Sequence, residues 1–124
     1  MEIQNQKLIH SELSYVLNGI AIEVRKELGR FAREKQYADL FEKKLIEKDI
    51  PHKRELTIGD SGNRLDFNID DCIIVDAKAK RFVLKEDYRQ MQNYLHVTGL
   101  ELGIIYNFRE QYVKPHRILR VAVP

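Results

Sequence analysis

Hydrophobic and polar positions along the chain follow two periods in turn. Between Ser11 and Leu28, apolar residues Leu13, Val16, Leu17, Ile20, Val24 and Leu28 recur at helical spacing, which predicts a helix with one core-facing side. Ser11 is placed to cap it and Gly29 to stop it. A second helical pattern covers residues 31–48, where Phe31, Ala38, Phe41 and Leu45 form one stripe and Pro51 closes the segment. Glu34 and Tyr37 fall on that same stripe. The period then changes to two. Residues 52–58 alternate Arg54, Leu56 and Ile58 with Lys53, Glu55 and Thr57, which predicts a strand without deciding which set faces inward. Residues 59–63 read as a turn. Two strands follow, 64–69 and 73–79, joined by Asp70, Asp71 and Cys72 as a three-residue hairpin loop. A third helix is expected over 85–97, ending at Gly99. The nearly continuous apolar run LGIIYNF, 102–108, suits a strand in the middle of the sheet, covered on both faces. Residues 117–123 alternate as a last, peripheral strand. Helix, helix, three strands, helix and two strands predict an α/β fold, a mixed sheet of about five strands flanked by helices.

The hairpin carries the chemistry. Pairing Ile69 with Ile73, Phe67 with Val75 and Leu65 with Ala77 makes one face wholly apolar, and a slip of one residue would destroy that match. The other face then opposes Asp66 to Asp76 and Arg64 to Lys78. Like charges directly opposite one another on a sheet repel, typically by about 0.2–1 kcal/mol. A divalent cation between Asp66 and Asp76 would reverse the sign of that interaction. Lys78 points to the same face as Asp76, where it could reach a phosphate or an attacking water at the metal. Alone, Asp-x-Lys is a common pattern on solvated sheet faces. Glu34 poses a separate question, because a carboxylate on an otherwise buried stripe must be paired, hydrogen-bonded or near a metal. On the residues alone, an ion pair with a nearby Arg or Lys accounts for it equally well. Gln90 and Tyr94 share a helix face with Asp87.

Composition narrows the class. With 124 residues, 44% apolar and 32% charged, the chain reads as one soluble, globular domain over 1–124. No apolar run approaches the roughly 20 residues needed to span a bilayer, and the start lacks the pattern of a signal peptide. The expectation is a cytoplasmic protein with no membrane partner. The single cysteine, Cys72, cannot close an internal disulfide and reads as a small packing residue. His10, His52, His96 and His116 are too widely spaced for a zinc-ligand pair and read as surface or structural residues. A net charge of +2 is too small to argue for nucleic acid. Its distribution adds more. Arg25, Lys26, Arg30, Arg33 and Lys35 cluster near the junction of the first two helices, while Lys78, Lys80, Arg81, Lys85 and Arg89 follow the acidic pair. Phosphate binding beside a metal would need cations in that second group.

Asp66, a turn, then Asp76 and Lys78, with helices on both sides in the sequence, resembles the PD-(D/E)XK nuclease superfamily. Leu65 stands where a proline often precedes the first acid. Glu34 and Tyr37, preceded by Glu27-Leu28-Gly29, resemble the segment that names the GxxExxY family, small proteins within that superfamily. The resemblance continues through Asp66, through 75–79 and through 90–98, about two thirds of the chain. Phe31 stands at the motif's glycine, and Asp76 where Glu is usual. What the resemblance implies is a restriction-endonuclease-like core and a nuclease that uses Mg²⁺ or Mn²⁺ to hydrolyse DNA or RNA. Asp66, Asp76 and the backbone carbonyl of Ala77 would hold the metal, with Glu34 acting through water or a second ion. Lys78 would position the water, and Gln90 would orient substrate or water. Arg64, Lys80, Arg81 and Tyr94 are the expected substrate contacts. Two rival readings are a nucleic-acid-binding or accessory module that keeps the fold without turnover, and a purely structural domain. A homodimer and a protein partner are both left open, though a chain this small would need a dimer to embrace a duplex.

Overall fold

The computed structural model describes residues 10–57 and 64–122. Its elements follow the expected order: α1 (Ser11–Leu28), α2 (Glu34–Glu47), β1 (His52–Thr57), β2 (Arg64–Ile69), β3 (Ile73–Lys78), α3 (Lys85–Thr98), β4 (Leu102–Asn107) and β5 (Pro115–Leu119). Residue 58 and the turn expected over 59–63 lie outside the described residues. The strands form one five-stranded sheet in chain order. Neighbours are antiparallel except β3 and β4, which run parallel, with α3 as the long connection that parallel neighbours require. The α/β class and the mixed sheet flanked by helices therefore stand as the pattern predicts. Among the described residues no helix is long and apolar enough to cross a membrane.

Each sheet face has its own core. Leu17, Ile20, Ala21 and Val24 of α1 and Tyr37, Ala38, Phe41 and Leu45 of α2 pack on Phe67, Ile69, Ile73, Val75, Leu102, Ile104 and Tyr106. On the other face, Met91, Tyr94 and Leu95 of α3 meet Leu65, Ile74, Ile105 and Ile118. Burying a side chain of this size contributes about 1.5–3 kcal/mol, so the two layers fix the sheet between the helices. All of β4 is buried, as its apolar run predicts, although β3 rather than β4 is the central strand. Arg54 settles the orientation of β1. Its guanidinium lies over the Phe67 ring and pairs with Asp39 and Glu42 of α2, while Lys53 and Glu55 are exposed.

Several local expectations are corrected. Ser11 is the first helical residue rather than the cap; His10 precedes it with φ 52° and makes no side-chain cap. Val16 faces outward at 38% exposure, because the inward arc of α1 is taken by Ser14, Leu17, Ile20, Ala21 and Val24. Phe31 is not on the α2 stripe. It precedes the helix and is exposed, held between the guanidinium groups of Arg30 and Arg109. The basic cluster at the helix junction is not a free patch either. Arg25 donates to the carbonyls of Phe108, Glu110 and Gln111, and Arg30 to that of Arg109.

In the hairpin, Ile69 pairs with Ile73 and Phe67 with Val75 as expected, across a loop in which Asp70 and Asp71 both take positive φ. Asp tolerates that left-handed conformation better than most residues. The ladder stops there, so the expected pairs Asp66 with Asp76, Leu65 with Ala77 and Arg64 with Lys78 do not continue it. Leu65 packs on the α3 face instead of the α1–α2 face. A break in pairing lies beside it on the neighbouring strand. Pairing of β1 with β2 skips one position, Glu55 opposite Asp66, and Glu55 has φ 56°. Cys72 is half-buried against the α1–α2 core, as a packing residue.

Candidate active site

The functional candidates gather where β3 ends, beside the first turns of α2 and α3. Asp76 sits within the central strand and is 6% exposed. Asp66 reaches it from β2: one oxygen of Asp66, Oδ2, accepts the Ala77 N–H at 2.6 Å, and the carboxyl hydrogen-bonds that of Asp76. Burial, that hydrogen bond and the Asp76 charge together push the Asp66 carboxyl well above the usual carboxylate range, and the Ala77 N–H offsets them in part. Asp66 and Asp76 therefore lie on adjacent antiparallel strands with their carboxyl groups in contact.

Lys78 Nζ lies 3.0 Å from Asp76 Oδ2 and 4.0 Å from Asp87 Oδ1. Burial alone would lower its pKa, but Asp76, Glu34 and Asp87 outweigh burial and raise it. Glu34, the first residue of α2, reaches the same place from the other side. It is solvent-accessible, yet enough protein surrounds its carboxylate to raise the pKa, with Lys78 opposing and the Ala79 N–H bonded to it. Both explanations left open for Glu34 are thus present in one position, since it neighbours a lysine and the acidic pair alike. Tyr37 fixes the approach to Glu34. Its hydroxyl donates to the Gly29 carbonyl at 2.5 Å and accepts the Ala32 N–H at 3.1 Å, while its ring stacks on Phe108. The turn from α1 into α2 is thereby braced one helical turn from the acid.

On the opposite flank, Tyr94 is buried and donates its hydroxyl to the Arg64 carbonyl at 2.7 Å. Burial first, then the Asp76 charge, pushes its pKa up to about 12, so it remains a donor. Gln90 hydrogen-bonds Tyr94 and lines a surface groove of about 340 Å³ with Glu86, Asp87, Arg89 and Asn93. Lys80 is held by Asp87, whose oxygens are 3.0 and 2.7 Å from Nζ. Arg64 and Arg81 are exposed, and Arg81 stacks over Phe82. Among the described residues no hydrogen bond or ion pair joins Arg81 to the acids.

Two residues were not assigned roles from the sequence. Asp87, 7% exposed, accepts the Leu84 N–H at 2.7 Å as well as Lys80. Burial opposes its ionisation, but these partners and Lys78 hold its carboxyl below the usual range. Its position in the first turn of α3 signals a cap, not a lysine clamp. Asn107, fully buried, accepts the Lys80 N–H and donates to the Lys80 carbonyl, clasping the chain just past β3. No motif marks it, because its partner lies far away in sequence.

Oxygen donors of this kind suit Mg²⁺ or Mn²⁺, which bind through one or two carboxylates and keep several waters. The crowding of Asp66, Asp76 and Glu34 is the unfavourable arrangement that such an ion would relieve. Among the described residues no three His, Cys, Asp or Glu side chains converge as a ready-made ligand cage. Comparison with known proteins finds no matching curated protein and no matching solved structure. Residues 11–121, however, match the family model of the PD-(D/E)XK nuclease superfamily, from α1 to just past β5. The matched span holds the whole sheet, all three helices and each acid and lysine described above, and the chain belongs to the PD-(D/E)XK nuclease superfamily.

Proposed function

We propose that this chain is a Mg²⁺- or Mn²⁺-dependent nuclease of the GxxExxY type, hydrolysing phosphodiester bonds in DNA or RNA. The observation that carries this reading is the Asp66–Asp76 carboxyl pair with Lys78 Nζ 3.0 Å from Asp76. Asp66, Asp76 and the Ala77 carbonyl would hold the ion, with Glu34 joined to it through water. A divalent ion so held polarises a phosphoryl oxygen and lowers the pKa of a bound water. Lys78 has no lone pair to offer a metal; its ammonium orients the attacking water and offsets charge growing on the phosphate. Gln90, beside Tyr94, orients the substrate. Lys80, Arg64 and Arg81 contact backbone phosphates, and Tyr94 steadies the Arg64 segment through its carbonyl. Support for the GxxExxY type comes from Glu34 and Tyr37, one aimed at Lys78 and the other bracing the turn that presents it.

A cleavage assay over labelled single- and double-stranded DNA and RNA, with Mg²⁺, Mn²⁺ or EDTA, tests the proposal. Cleavage is expected only with metal, and Lys78→Ala is expected to lose about 100-fold or more, as when a donor to a developing oxyanion is removed. Substrate affinity should fall only modestly. If the variant cleaves as well as wild type, the role of Lys78 is wrong. The second reading, a binding or accessory module, is favoured by one observation, that no third acid joins Asp66 and Asp76 in a ligand cage among the described residues. Nucleic acid bound but uncleaved by both proteins would establish it.

A further inference from the structure

Helix α1 carries apolar residues on its outward side as well as on its buried one. Ser14, Leu17, Ile20, Ala21 and Val24 are buried against the sheet and α2. At 3.6 residues per turn, Glu12, Tyr15, Gly19, Ile22 and Lys26 fall in one line on the opposite side, about 21 Å long. Tyr15 is 80% exposed and Ile22 46%. Beside this line a groove of about 460 Å³ runs between α1 and the loop after β4, with Ile22 and Lys26 on one wall and Tyr112 and Val113 on the other. Tyr112 is itself 77% exposed. Contiguous apolar surface rimmed by charge marks an interface, whereas single exposed apolar residues do not.

Two independent observations say what covers it. The first is Gly19, an interior helix residue whose type weakens a helix. A Cβ built there meets nothing within 4 Å, so the chain's own packing does not require glycine. At the centre of the exposed line, glycine leaves room for a second backbone to come close. The second is charge. Glu12 and Lys26 stand equally far from Gly19, at opposite ends of the line, and neither forms an ion pair among the described residues. Glu23 and Glu27, on the flank, are by contrast both paired with Lys44 of α2.

We propose that α1 packs against α1 of a second copy of this chain, antiparallel, with the two-fold axis at Gly19. Glu12 of each copy then lies opposite Lys26 of the other. Tyr15 falls beside Ile22 of the other copy and reaches the groove next to Tyr112, and the two glycines meet at the axis. A two-fold interface must be self-complementary, and this line places acid opposite base and apolar opposite apolar. The proposal does not depend on the nuclease reading.

Sedimentation velocity of the full chain over a range of concentrations is expected to show a dimer, and Ile22→Asp a monomer. Glu12→Lys and Lys26→Glu should each weaken the dimer about tenfold, because each turns two symmetry-related attractive pairs into repulsive ones. An equal mixture of those two variants should restore it, since a wholly basic line then faces a wholly acidic one. An unchanged far-ultraviolet circular dichroism spectrum of each monomeric variant shows that the fold is intact. A wild-type chain that stays monomeric at every concentration overturns the proposal, as does a dimer that all three substitutions leave unaltered.

Discussion

Asp66 titrates against the ordinary trend for a stabilising carboxylate. Its folded pKa is raised while the unfolded value stays near 3.8, so the native state holds the proton longer than the unfolded chain does. Its contribution to stability is complete at low pH and is lost as pH rises above the ordinary carboxylate value through the raised folded one. Without added metal, Asp66→Asn is therefore expected to gain stability over wild type as the buffer moves from acid to neutral. Urea titrations of both proteins across that range would check it. Equal pH slopes would show that Asp66 is not the group responsible. The same substitution bears on the metal. Mn²⁺ is expected to raise the melting temperature of wild type by binding only the folded state and relieving the carboxylates. If Asp66→Asn shows the same Mn²⁺-induced shift, Asp66 is not a ligand. Alternation along β3 put Asp76 and Lys78 on one face, and the hairpin loop brought Asp66 beside them, so this proximity was legible in the sequence. Asp87 was not, since an acid in a first helical turn reads the same whether it caps Leu84 alone or also holds Lys80.

Elements were legible wherever one period ran uninterrupted. Helix α1 has the expected bounds, and β3 and β4 lie where the apolar runs put them. The misreadings come from contacts distant in sequence. Phe31 is apolar yet outside α2, because Arg109 supplies half of its cationic cover. Leu65 packs on the α3 face beside the break in the β1–β2 ladder, where Glu55 kinks its strand at φ 56°. That kink invites a test. A non-glycine residue at positive φ is strained, so Glu55→Gly is expected to stabilise the fold by about 0.5–1 kcal/mol in equilibrium denaturation. Where α3 crosses β4, Gly103 has the opposite constraint. A Cβ there would run into Met91 Sδ and lie 2.7 Å from its Cγ, so Gly103→Ala is expected to cost about 1–3 kcal/mol by overpacking. Met91→Ala in the same background should recover part of that loss.

At the scale of the molecule, α1 is pinned by residues from the far end of the chain. Tyr106 donates its hydroxyl to Asn18, Arg117 bonds Ser14, and Arg25 holds three successive stretches of backbone after β4. Arg25→Ala, leaving those carbonyls to water, is expected to cost about 1–3 kcal/mol in the same denaturation experiment. The order of synthesis gives this arrangement a temporal meaning. A ribosome that has read as far as Lys80 has already delivered Glu34, Asp66, Asp76 and Lys78, but not β4, which pairs with β3 along its whole length, nor Asn107, which clasps Lys80. The nascent chain thus carries its acids before it holds the strand and the asparagine that set them.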